Sequence, residues 1–548
     1  MRRVLLAASC LLGGAFLYSQ AEKSPYTREM LAAAETLIGL KFTDPQRDLI
    51  LSSLKDQTAA YEAVRKVSLP NRVPPALVFD PRPVGFEMPT ERRAPRWSTV
   101  PVPPVPANLE DLAFASVNEL AALVKSRKVT SEQLTRMYLG RIKRYDSKLH
   151  AVITLTEELA LEQARQADKE IAAGKYRGPL HGLPYGLKDL FATKGFKTTW
   201  GSGAHRDQVI DEDATVVRKL RDAGAVLIAK TTLGELAMGD RWYGERTRNP
   251  WKLDQGSSGS SAGSASITAA GLAAFAIGTE TLGSIASPAT RCGVVGLRPT
   301  FGRVSRHGAM ALSWANDKIG PLCRRVEDCA MVFQAIHGGD GKDQAVVDAP
   351  FNYTPAVDLK KLRIGYLKND FDKANRAKEQ NEAALALLRK LGADLQPIEL
   401  PNYDGNALRL ILEAEAAAAF DDLTRSGRDA QLVQQERSAW PNFFRTARFV
   451  PAVEYIQATR IRYQLIQDMN KLMAGVDVYV APSFGGGNLG ITNNTGHPAV
   501  IVLHGFNKDG TPTSITFMGR LYDEARVLAV ARVYQEAAGF YKQRPKLD

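Results

Sequence analysis

The sequence has few cysteines and no pattern typical of a metal site. Cys10, Cys292, Cys323 and Cys329 are the four among 548 residues, and no C-x-x-C pair or His/Cys ligand spacing occurs. We expect Cys10 to be removed with an N-terminal leader, which leaves an odd number of thiols. A disulfide framework and a structural zinc site are therefore not expected. We predict buried free thiols, with a Cys323–Cys329 disulfide as the alternative, and no metal or organic cofactor.

The sequence also lacks a dense basic block, although its formal net charge is +12. Its lysines and arginines are scattered, unlike those of an arm that binds nucleic acid. We therefore expect no nucleic-acid partner. Hydrophobic residues make up 45% of the chain and charged residues 24%, which is typical of a globular protein and excludes wholesale disorder. No internal repeat of solenoid or propeller period occurs.

After the N-terminal segment, the sequence has no long apolar run. None of the later runs approaches the roughly 20 residues of a membrane-spanning helix. The first 21 residues have the three parts of a signal peptide. Arg2 and Arg3 precede an apolar run over residues 4–17, and Ser19 and Ala21 supply small residues for cleavage before Glu22. We predict export to the periplasm or the medium, without stable membrane insertion after cleavage. A retained anchor helix is the alternative.

The rest of the chain divides by composition into three segments. Residues 22–69 are rich in helix formers, with Asp44 as a cap and Pro45 in a first turn, and predict a helical hairpin. Residues 70–108 contain eleven of the 29 prolines and predict an extended strap or linker that packs on the main body. Residues 109–548 form the third segment. The sequence is compatible with two roles for the hairpin: it covers the active site, or it forms a contact in a homodimer.

The third segment predicts one large α/β domain. Short apolar runs such as residues 225–229 and 478–481 indicate buried strands, and residues 213–223 and 524–539 have helical patterns between them. This alternation favours a mixed central sheet covered by helices on both faces.

Two clusters of small residues lie within this domain, at residues 254–266 and 278–285. Their composition alone is that of flexible linkers. Two linkers about 20 residues apart inside one domain would be unusual, whereas two loops converging on one site would not. Glycine-rich loops with free N–H groups either cradle phosphates or form an oxyanion hole. The phosphate-binding patterns are absent, which favours an oxyanion hole beside a nucleophile.

A nucleophile needs a base, and none of the seven histidines lies in a motif beside either cluster. A lysine can serve instead when burial depresses its pKa. Lys188 is the candidate, because apolar and glycine residues surround it in Gly182-Leu183-Pro184-Tyr185-Gly186-Leu187-Lys188. Most lysines are surface charges, so these physical arguments alone leave the question open.

Residues 181–305 resemble the amidase-signature family in the order and spacing of their motifs, and weaker similarity extends over about 109–548. The matching pieces are Gly182-Leu183-Pro184, Leu187-Lys188-Asp189, Ser260-Ser261-Ala262-Gly263, Gly283-Ser284-Ile285 and residues 225–231, 249–251, 292–300 and 302–305. The resemblance implies a hydrolase that cleaves carbon–nitrogen bonds of a small-molecule amide. It implies Ser284 as the nucleophile, Lys188 as the general base and Ser260, after a cis peptide bond, as the serine between them. The backbone N–H groups of Thr281, Leu282, Gly283 and Ser284 would form the oxyanion hole.

Three departures from the family pattern put the acyl pocket and the substrate range in doubt. Leu282 replaces a customary glycine, Ala286 a customary arginine and Glu280 a customary aspartate. Because of these changes, a catalytically silent binding protein with the same fold is an alternative function.

Two further alternatives concern the activity itself. The chain could be the A subunit of a glutamyl-tRNA amidotransferase, against which the export signal argues. Alternatively, Gly259-Ser260-Ser261-Ala262-Gly263 matches the G-x-S-x-G nucleophile elbow with Ser261 as the nucleophile. No apolar strand precedes that motif, which argues against this alternative.

Overall fold

The computed structural model describes residues 25–373, 375–484 and 486–547; the predicted signal peptide lies outside them. The α-helices are α1 (Arg28–Ile38), α2 (Asp44–Lys66), α3 (Val117–Lys125), α4 (Ser131–Leu149), α5 (Glu157–Ala172), α6 (Thr215–Asp222), α7 (Ala262–Ala269), α8 (Ala286–Cys292), α9 (Val326–Ile336), α10 (Lys368–Asp372), α11 (Lys378–Lys390), α12 (Gly405–Ala419), α13 (Asp421–Ser426), α14 (Trp440–Ala447), α15 (Ala452–Gly475), α16 (Asn488–Asn494) and α17 (Glu524–Ala538). The strands are β1 (Val152–Leu155), β2 (Pro184–Lys188), β3 (Val226–Thr231), β4 (Arg248–Asn249), β5 (Lys252–Gly256), β6 (Phe275–Glu280), β7 (Val295–Arg298), β8 (Lys318–Cys323), β9 (Ile364–Leu367), β10 (Leu395–Ile398), β11 (Val478–Pro482), β12 (Ala499–Phe506) and β13 (Pro512–Gly519).

Helices α1 and α2 belong to a separate N-terminal unit that ends at Leu69. Glu35 of α1 is buried and pairs with Arg47 of α2 at 2.7 Å, which joins the two helices. The residue that caps α2 is Thr43 rather than the expected Asp44, which lies in the first turn. The Thr43 N–H donates to the Gln46 side chain at 2.8 Å, so the cap is a reciprocal pair of polar residues.

An 11-stranded mixed sheet forms the centre of the second unit, in the order β1-β3-β2-β6-β8-β7-β12-β13-β11-β9-β10. Strand β2 pairs in parallel with both β3 and β6. Strands β12 and β13 form an antiparallel pair. The apolar runs that predicted strands at residues 225–229 and 478–481 are confirmed as β3 and β11, and both strands are buried along their whole length.

Each face of the sheet is covered by its own hydrophobic core. In β12, Val500 and Val502 point into one core, whereas Ala499 and Ile501 point into the other, as the alternation of side chains along a strand requires. Helices α9 and α17 contribute to the first core, and helices α8 and α15 contribute to the second. The prediction of one large α/β domain with helices on both faces is confirmed.

Small residues let helix α7 lie entirely inside this domain. Every residue of α7 is buried, including Gly263, Ser264 and Ser266. A Cβ atom at Gly263 would lie 2.2 Å from the Ala151 carbonyl oxygen, so no larger residue fits there. The Ser264 hydroxyl donates to the Ile277 carbonyl at 2.9 Å, which compensates its burial. The glycine- and serine-rich composition of residues 254–266 thus permits close packing, and the last five of these residues are helical.

Residues 70–106 run over the second unit in turns and irregular backbone, and we call this segment the strap. Phe79 packs edge-on against Phe301 with ring centroids 4.9 Å apart, and Trp97 packs against Tyr353 at 5.5 Å. Leu77, in contrast, is 80% exposed, so the strap does not pack along its whole length.

The thiols of Cys292, Cys323 and Cys329 are free and buried, as predicted, and Cys10 lies outside the described residues. Among the residues that the structure describes, no helix has the length and apolar composition needed to cross a membrane.

Candidate active site

Lys188 is the last residue of the central strand β2, and its side chain is completely buried. Its Nζ atom lies 2.8 Å from Ser260 Oγ, 2.8 Å from Thr279 Oγ1 and 3.2 Å from Ser261 Oγ. Burial lowers the pKa of Lys188 to about 7, because desolvation disfavours the ammonium form. A lysine with this pKa is partly neutral at physiological pH and can accept a proton from a neighbouring hydroxyl group.

Ser260 lies in the loop between β5 and α7, and the Gly259–Ser260 peptide bond is cis. The side chain of Ser260 is almost fully buried beside Lys188. The next residue, Ser261, donates its backbone N–H to the Ser284 carbonyl oxygen at 3.1 Å. The two small-residue clusters therefore meet directly at the site.

Ser261 has a structural environment, not that of a nucleophile. Its hydroxyl group is completely buried, donates to the Thr279 carbonyl at 3.0 Å and accepts from the Thr279 N–H at 3.1 Å. The preceding strand β5 pairs only with β4 in a two-stranded sheet. These features differ from an elbow that follows a central strand and exposes its serine.

Ser284 lies between β6 and α8 and is half-buried. Within the described part of the chain, its hydroxyl group has no hydrogen-bond partner. Gly283, just before it, has a φ angle of +105°, which favours glycine. Of the three predicted site side chains, Lys188 and Ser260 are thus in direct contact, and Ser284 is joined to the loop of Ser260 through the backbone of Ser261.

The N–H groups of Leu282, Gly283 and Ser284 donate to no acceptor among the described residues. Unpaired N–H groups beside a serine are the donors that an oxyanion hole requires. The Leu282 side chain, which replaces the customary glycine, is 42% exposed.

Glu280 anchors the loop that carries Ser284. Its carboxylate accepts from the N–H groups of Ile285 at 2.9 Å and Ala286 at 2.8 Å, and from Arg298 and Asn493 at 2.9 Å each. Burial raises the pKa of Glu280, but the Arg298 charge and the hydrogen bonds outweigh burial and lower the pKa below its ordinary value. Glu280 engages the N–H groups that follow Ser284 and leaves those before it unpaired.

Sequence reasoning missed two residues of this environment. Thr279 contacts Lys188 directly, and its place in the second small-residue cluster was the available signal. Asp317 is half-buried and accepts a hydrogen bond from Thr281 Oγ1 at 2.6 Å, which fixes the start of the loop that carries Ser284. Burial raises the pKa of Asp317, while its hydrogen bonds act in the opposite direction. No spacing in the sequence connects Asp317 to the loop.

A cavity of about 150 Å³ reaches this environment. Thr279, Thr281 and Asp317 are among its polar lining residues, and Leu190, Ala237 and Met310 are among its apolar ones. A cavity of roughly this volume holds a ligand as large as benzene. The lining therefore includes one residue in contact with Lys188 and one residue of the loop that carries Ser284.

Comparisons with known proteins agree with these features. The family model described as Amidase matches residues 133–489. The A subunit of glutamyl-tRNA(Gln) amidotransferase from Prochlorococcus marinus is 35% identical over 481 residues, which cover 78% of this chain and 99% of that protein. The corresponding protein of Carboxydothermus hydrogenoformans is 34% identical, and the match covers 80% of this chain and 100% of that protein.

Among solved structures, native peptide amidase from Stenotrophomonas maltophilia superimposes with a TM-score of 0.72 at 32% identity. That alignment covers 80% of this chain and 99% of the peptide amidase. Both comparisons thus span nearly the whole length of the relatives, and the family model spans more than half of this chain. The chain belongs to the amidase-signature family.

Proposed function

We propose that this protein cleaves the carbon–nitrogen bond of a small amide through an acyl-enzyme on Ser284. The observation that supports this proposal most strongly is the 2.8 Å contact between the buried Lys188 Nζ and Ser260 Oγ. A buried lysine with a pKa of about 7 is a suitable general base at neutral pH.

The proton transfers follow from this arrangement. Neutral Lys188 accepts a proton from Ser260, Ser260 accepts one from Ser284, and the Ser284 oxygen attacks the amide carbonyl. The N–H groups of Leu282, Gly283 and Ser284 stabilise the resulting oxyanion, for which a single donor typically contributes about 2.7–4 kcal/mol. The proton returns through Ser260 to the leaving amine, and water then releases the acyl group. Substrate binding must bring Ser284 Oγ within hydrogen-bond distance of Ser260 Oγ, because such contacts often tighten only in the complex.

A panel of aryl and alkyl amides tests this function. The chain from Glu22 onward should hydrolyse some of them, and Ser284→Ala and Lys188→Ala should each abolish the reaction. Ser261→Ala is a matched control at another serine that contacts Lys188 and should retain far more activity than Ser284→Ala. An inert wild-type protein that a serine-directed probe also leaves unlabelled would favour a catalytically silent binding protein.

A second candidate function is the A subunit of a glutamyl-tRNA amidotransferase. The names of the curated relatives, at 34–35% identity, favour this function over a stand-alone hydrolase. The peptide amidase structure favours the hydrolase. In both functions the same site cleaves an amide, but the A subunit would release ammonia from glutamine for use by partner subunits. About a fifth of this chain lies outside the alignments with those relatives, and that difference favours an independent enzyme.

Purification of the full-length chain from its own cells discriminates between the two functions. A hydrolase should elute without partner subunits and should cleave amides other than glutamine. An amidotransferase subunit should co-purify with partners and should cleave glutamine faster when glutamyl-tRNA is present.

Export belongs to the same proposal and rests on the N-terminal sequence, with Arg2 and Arg3 before an apolar run. Fractionation of cells that produce the tagged full-length chain tests it. A shortened protein that begins at Glu22 outside the cytoplasm would support export, whereas an uncut protein in the cytoplasm would contradict it.

A further inference from the structure

The strap contributes directly to the cavity beside the catalytic lysine. Asn71, Arg72 and Pro74 line this cavity together with Thr279, which contacts Lys188. The strap precedes the part of the chain that resembles the amidase-signature family. The cavity therefore has one wall from the shared catalytic core and one from a segment outside it.

Hydrogen bonds fix the strap at this wall. The Asn71 side chain donates to the Ala311 carbonyl at 2.8 Å and accepts from the Ala311 N–H at 2.8 Å. The same amide group also donates to the Ala419 carbonyl at 3.2 Å. Four residues further on, the Pro75 carbonyl accepts from Gln344 at 2.9 Å. Arg72 is thus held between two anchored positions.

Two of the three carboxylates of the lining already have partners. Asp343 pairs with Arg306 at 2.9 Å, whereas Glu212 Oε2 lies 3.7 Å from His307 Nε2, which is charged only when it is protonated. Asp317 accepts hydrogen bonds from Thr281 and from two backbone N–H groups. Of these three carboxylates, Glu212 is the one left to neutralise a further cation.

Two cationic side chains of the lining have no such partner. Arg72 and Lys342 both line the cavity and are exposed. Among the described residues, neither side chain has an ion-pair or hydrogen-bond partner. Arg72 comes from the strap, and Lys342 lies two residues before Gln344, which holds the strap. Two unpaired cations against one unpaired carboxylate give the lining an excess of positive charge, and the lining also contains apolar residues such as Leu190 and Met310.

We propose that the strap makes this enzyme selective for amides that carry a carboxylate at the end remote from the scissile bond, which Arg72 and Lys342 bind. The apolar wall contacts the short hydrocarbon part of the substrate, and the volume of about 150 Å³ limits that part to about six carbons. This inference rests on the proposed amide cleavage by Ser284. It adds the chemical class of the substrate and assigns a role to a segment outside the family core.

Matched substrates test the inference. One pair compares glutaryl p-nitroanilide with hexanoyl p-nitroanilide and places the carboxylate on the acyl side of the amide. The second pair compares N-acetyl-4-aminobutyrate with N-acetylpentylamine and places the carboxylate on the amine side. In one of the two pairs, we expect kcat/KM to be at least fivefold higher for the substrate with the carboxylate than for its neutral counterpart. The preference should fall at high ionic strength, because exposed ion pairs are screened.

The double variant Arg72→Gln/Lys342→Gln should reduce this preference to about one, mainly through KM, and should leave hydrolysis of the neutral amides within about twofold of wild type. Arg93→Gln is the control, since Arg93 is an exposed strap arginine that pairs with Glu91 and does not line the cavity. Equal rates within both pairs, or a preference that survives in the double variant, would overturn the inference. Hydrolysis of the neutral amides reports on the proposed function separately, because its absence would contradict the amidase activity itself.

Discussion

Lys188 and Lys230 are both completely buried lysines, and they lie on paired strands of the same sheet. Lys188 is surrounded by three hydroxyl groups and contacts no carboxylate among the described residues. Lys230 lies 2.8 Å from Asp189, which is also completely buried, and donates to the Thr198 hydroxyl at 2.7 Å. Burial lowers the pKa of both lysines, but Asp189 opposes this effect at Lys230. The partner of a buried lysine, more than its burial, determines whether the lysine can act as a base.

The largest expected effect comes from removing Lys188. Lys188→Met should lower kcat/KM for amides by about 10³-fold, within the range typical of a lost general base. The melting temperature should change little, since the substitution removes a buried ammonium group that has no counterion. Amide kinetics and thermal unfolding of the same preparation check both parts. Activity within tenfold of wild type would contradict the assignment of Lys188 as the base.

Removal of Lys230 should have the opposite result. Lys230→Met leaves the Asp189 carboxylate buried and unpaired, which should lower the free energy of unfolding by about 3–5 kcal/mol. Activity per folded molecule should stay within about tenfold of wild type. Denaturant unfolding measures the loss, and the double variant Asp189→Asn/Lys230→Met should recover part of it because no unpaired charge remains. A loss of activity without a loss of stability would contradict the structural role of this pair.

A pH profile sharpens the comparison further. Since the pKa of Lys188 is about 7, its neutral form predominates above pH 7 and becomes about tenfold scarcer per pH unit below it. We expect kcat/KM to rise about tenfold per pH unit up to pH 7 and to level off above, until other groups titrate. An activity that is constant from pH 5 to 8 would mean that Lys188 does not titrate in the free enzyme.

The smallest expected effect concerns Thr279. The Thr279 hydroxyl group accepts a hydrogen bond from Lys188 and so stabilises the ammonium form of this lysine. Thr279→Val keeps the shape of the side chain but removes this hydrogen bond. The acid limb of the pH profile should move to lower pH, and kcat/KM at pH 8 should fall about fivefold. Thr279→Ser should restore both values. A profile that does not move would show that this hydroxyl group leaves the charge of Lys188 unaffected.

The sequence predicted the strands of the central sheet better than the contacts between distant segments, for physical reasons. Apolar runs predicted strands such as β3 and β11, because a buried strand needs apolar side chains on both faces. Lys188, Ser260 and Ser284 could be named because their spacing matches a known family. The letters alone do not distinguish Lys188 from Lys230, since both follow apolar residues and their partners are set by tertiary contacts.

Contacts between distant parts of the chain were beyond sequence reasoning. Asn71 and Ala311 are 240 residues apart, so the strap could not be placed at the cavity in advance. Asp317 contacts Thr281 across 36 residues through side chains alone. The glycine- and serine-rich stretch at residues 254–266 predicted a loop, yet its last five residues belong to the buried helix α7, because close packing favoured small residues there.

Locating the residue that reacts with a fluorophosphonate tests the central claim most directly. The full-length protein, Lys188→Met and Ser284→Ala should be labelled at pH 8, digested and mapped by mass spectrometry. Our account predicts one labelled residue, Ser284, in the wild type, labelling slowed at least about 100-fold in Lys188→Met and no label in Ser284→Ala. Labelling of Ser260 or Ser261 instead, or an unchanged rate in Lys188→Met, would contradict the assignment of Ser284 as the nucleophile and Lys188 as its base.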